Sequence, residues 1–179
     1  GVALPESLIT VPMTLTIPKS TVFLSFSKDF KYNPYNYLGL QVISGILDIV
    51  YTEKIRENEG GTYGVSVSVS AQKRPSEKGE GYVMFDCDPA RANDLKALIY
   101  KELDSLVQKG PSQENLDKAV QNILKTREES KKHNSYWTSA ISRYYNYGIN
   151  PDDPKNYEDI LKSFTVEDIR KIAGKMFKK

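Results

Sequence analysis

Lys54-Ile55-Arg56-Glu57-Asn58-Glu59-Gly60-Gly61-Thr62-Tyr63-Gly64-Val65 is the stretch around which the chain turns. Leu38, Val42, Ile43, Ile46, Leu47 and Val50 precede it at spacings of three and four, the pattern of a helix with one apolar face. Val65, Val67 and Val69 follow it, alternating with Ser66, Ser68 and Ser70, the two-residue period of a strand buried on one side. Gly60 and Gly61 sit between, where they allow backbone conformations that a side chain would forbid. Arg56 lies just before the turn and Tyr63 just after it, so a helix–turn–strand here can aim a guanidinium and a phenol at one small region.

Outward from this turn, Asn33-Pro34 supplies an N-cap and a first-turn proline, so the helix is predicted to start there and fade near Glu57, with Gly60 as its stop. Gly39 and Gly45 cost that helix about 1 kcal/mol each relative to Ala, which close packing against a sheet would offset. Thr21–Ser27 reads as a strand with Val22, Leu24 and Phe26 on one side. Before it, Ile9, Val11, Met13, Leu15 and Ile17 alternate with threonines in a further strand that Pro12 confines to an edge or interrupts, and residues 1–8 read as a tether.

Downstream, Tyr82–Cys87 is predicted to pair with the Val65–Ser70 strand across a hairpin loop spanning Gln72–Glu80. Asp88-Pro89 opens a second helix, lined by Leu95, Leu98, Ile99, Leu103, Leu106 and Val107 and ended by Gly110-Pro111. Ser112 caps a third, carrying Leu116, Ala119, Val120, Ile123 and Leu124, whose far half, Lys125–Lys132, has the mixed charge of a solvated face. The aromatics between Asn134 and Tyr147 have no interleaved basic stripe, so they read as core or interface packing rather than a platform for nucleobases. Asn156–Lys162 is predicted as a short helix, and Thr165 caps the last one, with Phe164 and Ile169 at the spacing of a hydrophobic staple. Strands come first and helices cluster afterwards. The expected fold is α+β, one domain with an antiparallel or mixed sheet and helices packed on one face. A chain of 179 residues can bury about 70% of its unfolded surface and needs no staple.

Composition narrows the chemistry. Basic residues number 25 and acidic ones 23, so charge gives no reason to expect nucleic acid or an anionic membrane as partner. The most apolar run, Tyr37–Tyr51, is broken by Gln41, Ser44 and Asp48 and is too short and polar to span a bilayer. The chain begins with Gly1 and shows no signal pattern, so it reads as an excised piece or processed product whose compartment is not written in it. A single cysteine, Cys87, excludes an internal disulfide; in its strand-like run it reads as a small buried hydrophobe. With His133 the only histidine, a complete catalytic zinc site is not expected in this chain.

Three anchors, in this order, resemble the pitrilysin/insulinase family of zinc metallopeptidases. The first is Ile43-x-x-Ile46-Leu47 leading to Lys54-Ile55-Arg56-Glu57 and Gly60-Gly61-Thr62-Tyr63-Gly64-Val65. The second is Gly110-Pro111-Ser112-x-Glu114-x-Leu116-x-Lys118-Ala119, and the third Phe164-Thr165-Val166-Glu167-Asp168-Ile169. The resemblance implies an α+β domain of a clamshell protein whose two halves close around a peptide. In that family the zinc-bearing domain carries H-x-x-E-H, two histidines on the metal and a glutamate as general base. This chain has no such motif, so the resemblance makes it the zinc-less domain near the C-terminal end, with no cofactor of its own and zinc in the complementary half. It also implies that Arg56 and Tyr63 enter the closed active site, with Tyr63 as a catalytic oxyanion donor, Arg56 anchoring a substrate carbonyl, and Gly60 and Gly61 forming a loop that substrate approaches. Implied partners are the zinc-bearing domain or subunit and a peptide substrate; a bacterial periplasmic or cell-envelope location is compatible.

By themselves the residues leave blander readings open. An arginine in a last helical turn complements the helix dipole, a tyrosine at a strand start is an ordinary half-buried aromatic, and His133 is an exposed helix-end histidine. A non-catalytic assembly subunit of the same family, or a module that captures peptide strands on a sheet edge, are the competing functions.

Overall fold

The computed structural model describes residues 19–58, 64–150 and 153–178. The expected strand from Ile9 to Ile17 and the tether before it lie outside the described residues. The remaining order is β1 (Ser20–Asp29), α1 (Pro34–Asn58), β2 (Val65–Gln72), β3 (Lys78–Cys87), α2 (Ala92–Lys109), α3 (Gln113–Ser130), α4 (Asn134–Tyr147), α5 (Glu158–Ser163) and α6 (Val166–Phe177). The described strands form an antiparallel sheet in the order β1-β3-β2. Helices cover one face of it, giving the expected α+β class.

Strand alternation sets the two faces. Leu24, Val69, Ala71, Val83 and Phe85 point into the core. On the other face Phe23 is stacked on Tyr82, and Phe23 and Met84 stay exposed. The strands are longer than predicted: β1 runs to Asp29 and β2 to Gln72, and β3 begins at Lys78, so the hairpin loop shrinks to residues 73–77.

The centre of the molecule is α1. Asn33 Oδ1 accepts from the Asn36 N–H at 2.7 Å, the expected cap. Leu40, Tyr51 and Ile55 are buried along with the predicted Leu38, Val42, Ile43, Ile46 and Leu47, so α1 is buried on more than one face, as a central helix must be. The two glycines are explained differently from the expectation. A Cβ at Gly45 would stand 3.3 Å from that of Ala119 on α3, and one at Gly39 would collide with Ile172 of α6. Neighbouring helices, not the sheet, approach there.

The other caps mostly follow the sequence. Ser112 Oγ accepts from Asn115 N–H at 3.1 Å and starts α3. Asp88 accepts from Ala90 N–H at 2.8 Å, but it caps a 3-10 turn, Pro89–Arg91, so α2 begins only at Ala92. The short helix lies slightly later than predicted, at Glu158–Ser163, after a 3-10 turn at Pro154–Asn156. Thr165 and Asp168 make a full capping box on α6, with Phe164 and Ile169 buried beside it. Tyr35 packs on Phe164 at 5.0 Å and its hydroxyl donates to Asp168, which ties the start of α1 to the start of α6. Burial, then this carboxylate, pushes the Tyr35 phenol up to about 12.

Candidate functional site

The helix and the strand that flank the turn form as the sequence predicts, while the turn itself, residues 59–63, lies outside the described residues. Arg56 occupies the last turn of α1, and β2 starts at Val65. Gly64 enters the strand at φ +115, where a side chain would be strained, so glycine is required at that step. The side chain of Arg56, and Gly60, Gly61 and Tyr63, lie outside the described residues.

Beside this unit the structure opens a cleft of about 600 Å³ between α1, the outer edge of β2, α3 and α4. Its size falls in the range of ligand-binding pockets. Gln41, Ser44 and Asp48 line it from α1. Their spacing of three and four puts them on one helical stripe, so the polar breaks in the apolar run mark the cleft wall. Sequence reasoning took these residues only as evidence against a membrane span; their common face was the signal it missed. Ser44 Oγ accepts from the Val69 N–H of β2 at 3.2 Å, and Gln41 donates to the Tyr37 hydroxyl at 2.9 Å.

The far wall is cationic. Arg143 of α4 lies 5.2 Å from the centre of the Tyr37 ring. Arg127 of α3 lies 3.7 Å from the centre of the Tyr157 ring and 3.8 Å from Glu158. Arg127 corrects the reading of Lys125–Lys132 as wholly solvated: it is buried, because an aromatic ring and a carboxylate together accommodate its planar cation. Burial pushes the Tyr157 phenol up, while Arg127 pulls it back.

The aromatic segment after His133 is α4, and the expected packing role divides. Tyr147 joins Tyr32, whereas Trp137, Ile141, Tyr144 and Tyr145 stand exposed along the helix. Cys87 is buried at the end of β3, as read from its strand. His133 is exposed just before α4. Among the described residues no three His, Cys, Asp or Glu side chains gather as a metal site. With one imidazole and one buried thiol on separate elements, the donor set does not fit catalytic zinc.

The described residues thus form a layered α+β domain with an open cleft between α1, β2, α3 and α4. The sequence pattern described as "Peptidase M16 inactive domain" matches residues 5–123, so the chain belongs to that family. Among curated relatives, the "Zinc protease PQQL-like" protein of Arabidopsis thaliana is 30% identical over 105 residues, 56% of this chain and 11% of the relative. The "Probable zinc protease PqqL" of Escherichia coli is 29% identical over 119 residues, 64% of this chain and 12% of the relative. The crystal structure of the periplasmic protease PqqL from Escherichia coli superposes with a TM-score of 0.74 at 20% identity, covering 92% of this chain and 18% of that one. The chain thus spans about a tenth of the length of the curated relatives it matches. Among the described residues no helix is long and apolar enough to cross a membrane.

Proposed function

We propose that this chain is the substrate-binding, zinc-less domain of a zinc metallopeptidase, working only when closed against a zinc-bearing half. The observation that carries the reading is the family match of the domain, supported by Arg56 in the last turn of α1 and by Tyr63 next to Gly64 in the sequence, just before β2. In peptide hydrolysis the scissile carbonyl oxygen gains negative charge. The Tyr63 hydroxyl donates a hydrogen bond to that oxygen, and Arg56 holds a neighbouring substrate carbonyl with its fixed N–H groups. Gly60 and Gly61 let the substrate backbone approach the turn. Closure brings these groups to the other half and excludes water at the same time.

Zinc belongs to the complementary half on this reading, which fits the donor set here. The exposed apolar face of α4, from Trp137 to Tyr145, is the kind of surface a partner domain covers. The 179 residues act as one domain, with residues 1–8 as its tether, and a periplasmic or cell-envelope location goes with the periplasmic neighbour.

The test is Tyr63→Phe and Arg56→Gln in the complete parent protein. Removal of one oxyanion donor costs about 3 kcal/mol, roughly a hundredfold in turnover. Tyr63→Phe is expected to lower turnover on that scale with the circular dichroism spectrum unchanged. Arg56→Gln is expected to act mainly on KM. Unchanged turnover in both would instead support a non-catalytic assembly subunit.

A further inference from the structure

We infer that the end of the cleft between α3 and α4 is a carboxylate pocket, in which Arg143 reads one acidic group of a peptide, either a side-chain carboxylate or a free C-terminus. The inference rests on the reading of this domain as one that handles peptides, and it names the chemical group selected and the residue that selects it.

The charged side chains that line the cleft are Asp48, Arg127 and Arg143. Arg127 is buried against the Tyr157 ring and lies 3.8 Å from Glu158, so its charge is answered within the wall. Lys131, one turn further along α3, holds Glu128 at 2.8 Å. Arg143 lies 5.2 Å from the centre of the Tyr37 ring and has no ion-pair partner among the described residues. Asp48 does not compensate it: 11 residues separate Tyr37 from Asp48 on α1, about 16 Å at ~1.5 Å per residue, twice the screening length of roughly 8 Å at physiological salt. One positive charge is left over at this end of the cleft, which suits a monoanion better than a doubly charged phosphate.

The aromatic surroundings of Arg143 are neutral. Burial pushes the Tyr32 and Tyr157 phenols up, and Arg143 pulls both back, as Arg127 does for Tyr157. Both phenols stay protonated at neutral pH and supply no counter-charge. A half-buried cation among uncharged rings is well compensated only when an anion joins it. Its place over Tyr37 engages one face of the guanidinium, whereas the N–H groups lie in its plane, and a carboxylate accepts two of them side by side. Ser139 lies one turn earlier on α4 and lines the same cleft, so its hydroxyl is placed to donate to the same group. The pocket is remote from the bond that breaks. From Tyr37 to Arg56 is 19 residues of α1, about 28 Å, so a peptide cut beyond the end of α1 puts into the pocket a group about eight extended residues away.

The probes are N-acetylated peptides of equal length: Gly-Ser-Glu-Ser-Gly amide, Gly-Ser-Gln-Ser-Gly amide, and Gly-Ser-Gln-Ser-Gly with a free C-terminus. Each is titrated into the 15N-labelled 179-residue chain, and the Arg143 Nε–H and the α4 amides are followed by nuclear magnetic resonance. At least one carboxylate peptide is expected to shift the Arg143 signal and to bind about tenfold tighter than the fully blocked Gln peptide, the gain from charge-assisted hydrogen bonds. Preference for the blocked Glu peptide assigns the pocket to a side chain, and preference for the unblocked Gln peptide assigns it to a chain end. Arg143→Gln is expected to erase the preference, and Arg143→Lys to keep part of it, because lysine restores the charge without the planar pair of donors. The comparison on the unsubstituted chain stands whatever a variant does to folding. Equal binding of all the peptides, a preference that survives Arg143→Gln, or no shift up to about 50 mM overturns the inference. Failure here with impaired Tyr63→Phe turnover removes only the carboxylate pocket. A carboxylate preference with unimpaired Tyr63→Phe turnover removes only the catalytic reading.

Discussion

Gly81→Ala probes how the sheet meets the helices. Gly81 sits in β3, paired with Phe26 on one side and Val69 on the other. A Cβ there would overlap the Phe26 ring, with Cζ at 2.7 Å, and stand 2.7 Å from the Ser68 carbonyl oxygen. Phe26 has little room to retreat, because its ring meets the edge of Phe177 at 5.1 Å and 78°. Ser68 belongs to β2, opposite Tyr82, so its carbonyl cannot swing aside without breaking the ladder. Overpacking of this kind costs about 1–3 kcal/mol. Alanine recovers about 0.5–1 kcal/mol of the entropy that glycine loses in a strand interior. The net expectation is a loss of about 1–2 kcal/mol, a melting temperature lower by roughly 3–6 °C for a chain of this size. Gly79→Ala is the internal control. Its Cβ meets the Met176 thioether, the flexible end of a side chain, and Phe30 Cβ at 3.2 Å, so it is expected to cost less. Urea unfolding followed by far-ultraviolet circular dichroism reads both. Gly81→Ala as stable as the unsubstituted chain, or less damaging than Gly79→Ala, refutes the packing described.

The capping box and the metal inventory are also testable. Thr165→Ala removes the acceptor for the Asp168 N–H and is expected to cost about 1 kcal/mol in the same assay. The Asp168 carboxyl is held low by hydrogen bonds from the Thr165 side chain and then its backbone. Its folded-state value lies below its unfolded one, so its contribution is present above about pH 4 and is lost as pH falls through the folded value. Asp168→Asn should therefore be less stable than the unsubstituted chain at pH 7, with the gap closing toward pH 3; a gap that widens in acid contradicts this. Elemental analysis of the purified chain is expected to find no stoichiometric zinc, and one equivalent per chain would overturn the assignment of the metal to the other half.

Much of the frame was legible because local rules and global packing agree in it. The Asn33, Ser112 and Thr165 caps, the alternation of β2 and the Gly110-Pro111 break each act within a few residues. What escaped depends on distant partners. Nothing near Gly45 announces Ala119, and nothing near Arg127 announces Tyr157, so a helix-packing glycine was assigned to the sheet and a buried cation to solvent. The cleft was half-visible. Gln41, Ser44 and Asp48 share a stripe that the sequence displays, but the wall opposite comes from α3 and α4, whose approach no local pattern specifies. The helix before the turn and the strand after it were readable from their periods, whereas the roles of Arg56 and Tyr63 rest on the resemblance and on what closure would bring to them.

The central claim is that this domain supplies half of a peptidase site. The direct measurement is peptide turnover by the zinc-bearing half of the parent protein, alone and with this chain added in trans. Turnover is predicted to appear only with both, to saturate with added chain, and to be lost when the added chain carries Arg56→Gln and Tyr63→Phe together. A zinc-bearing half that cleaves peptide equally well alone would contradict it.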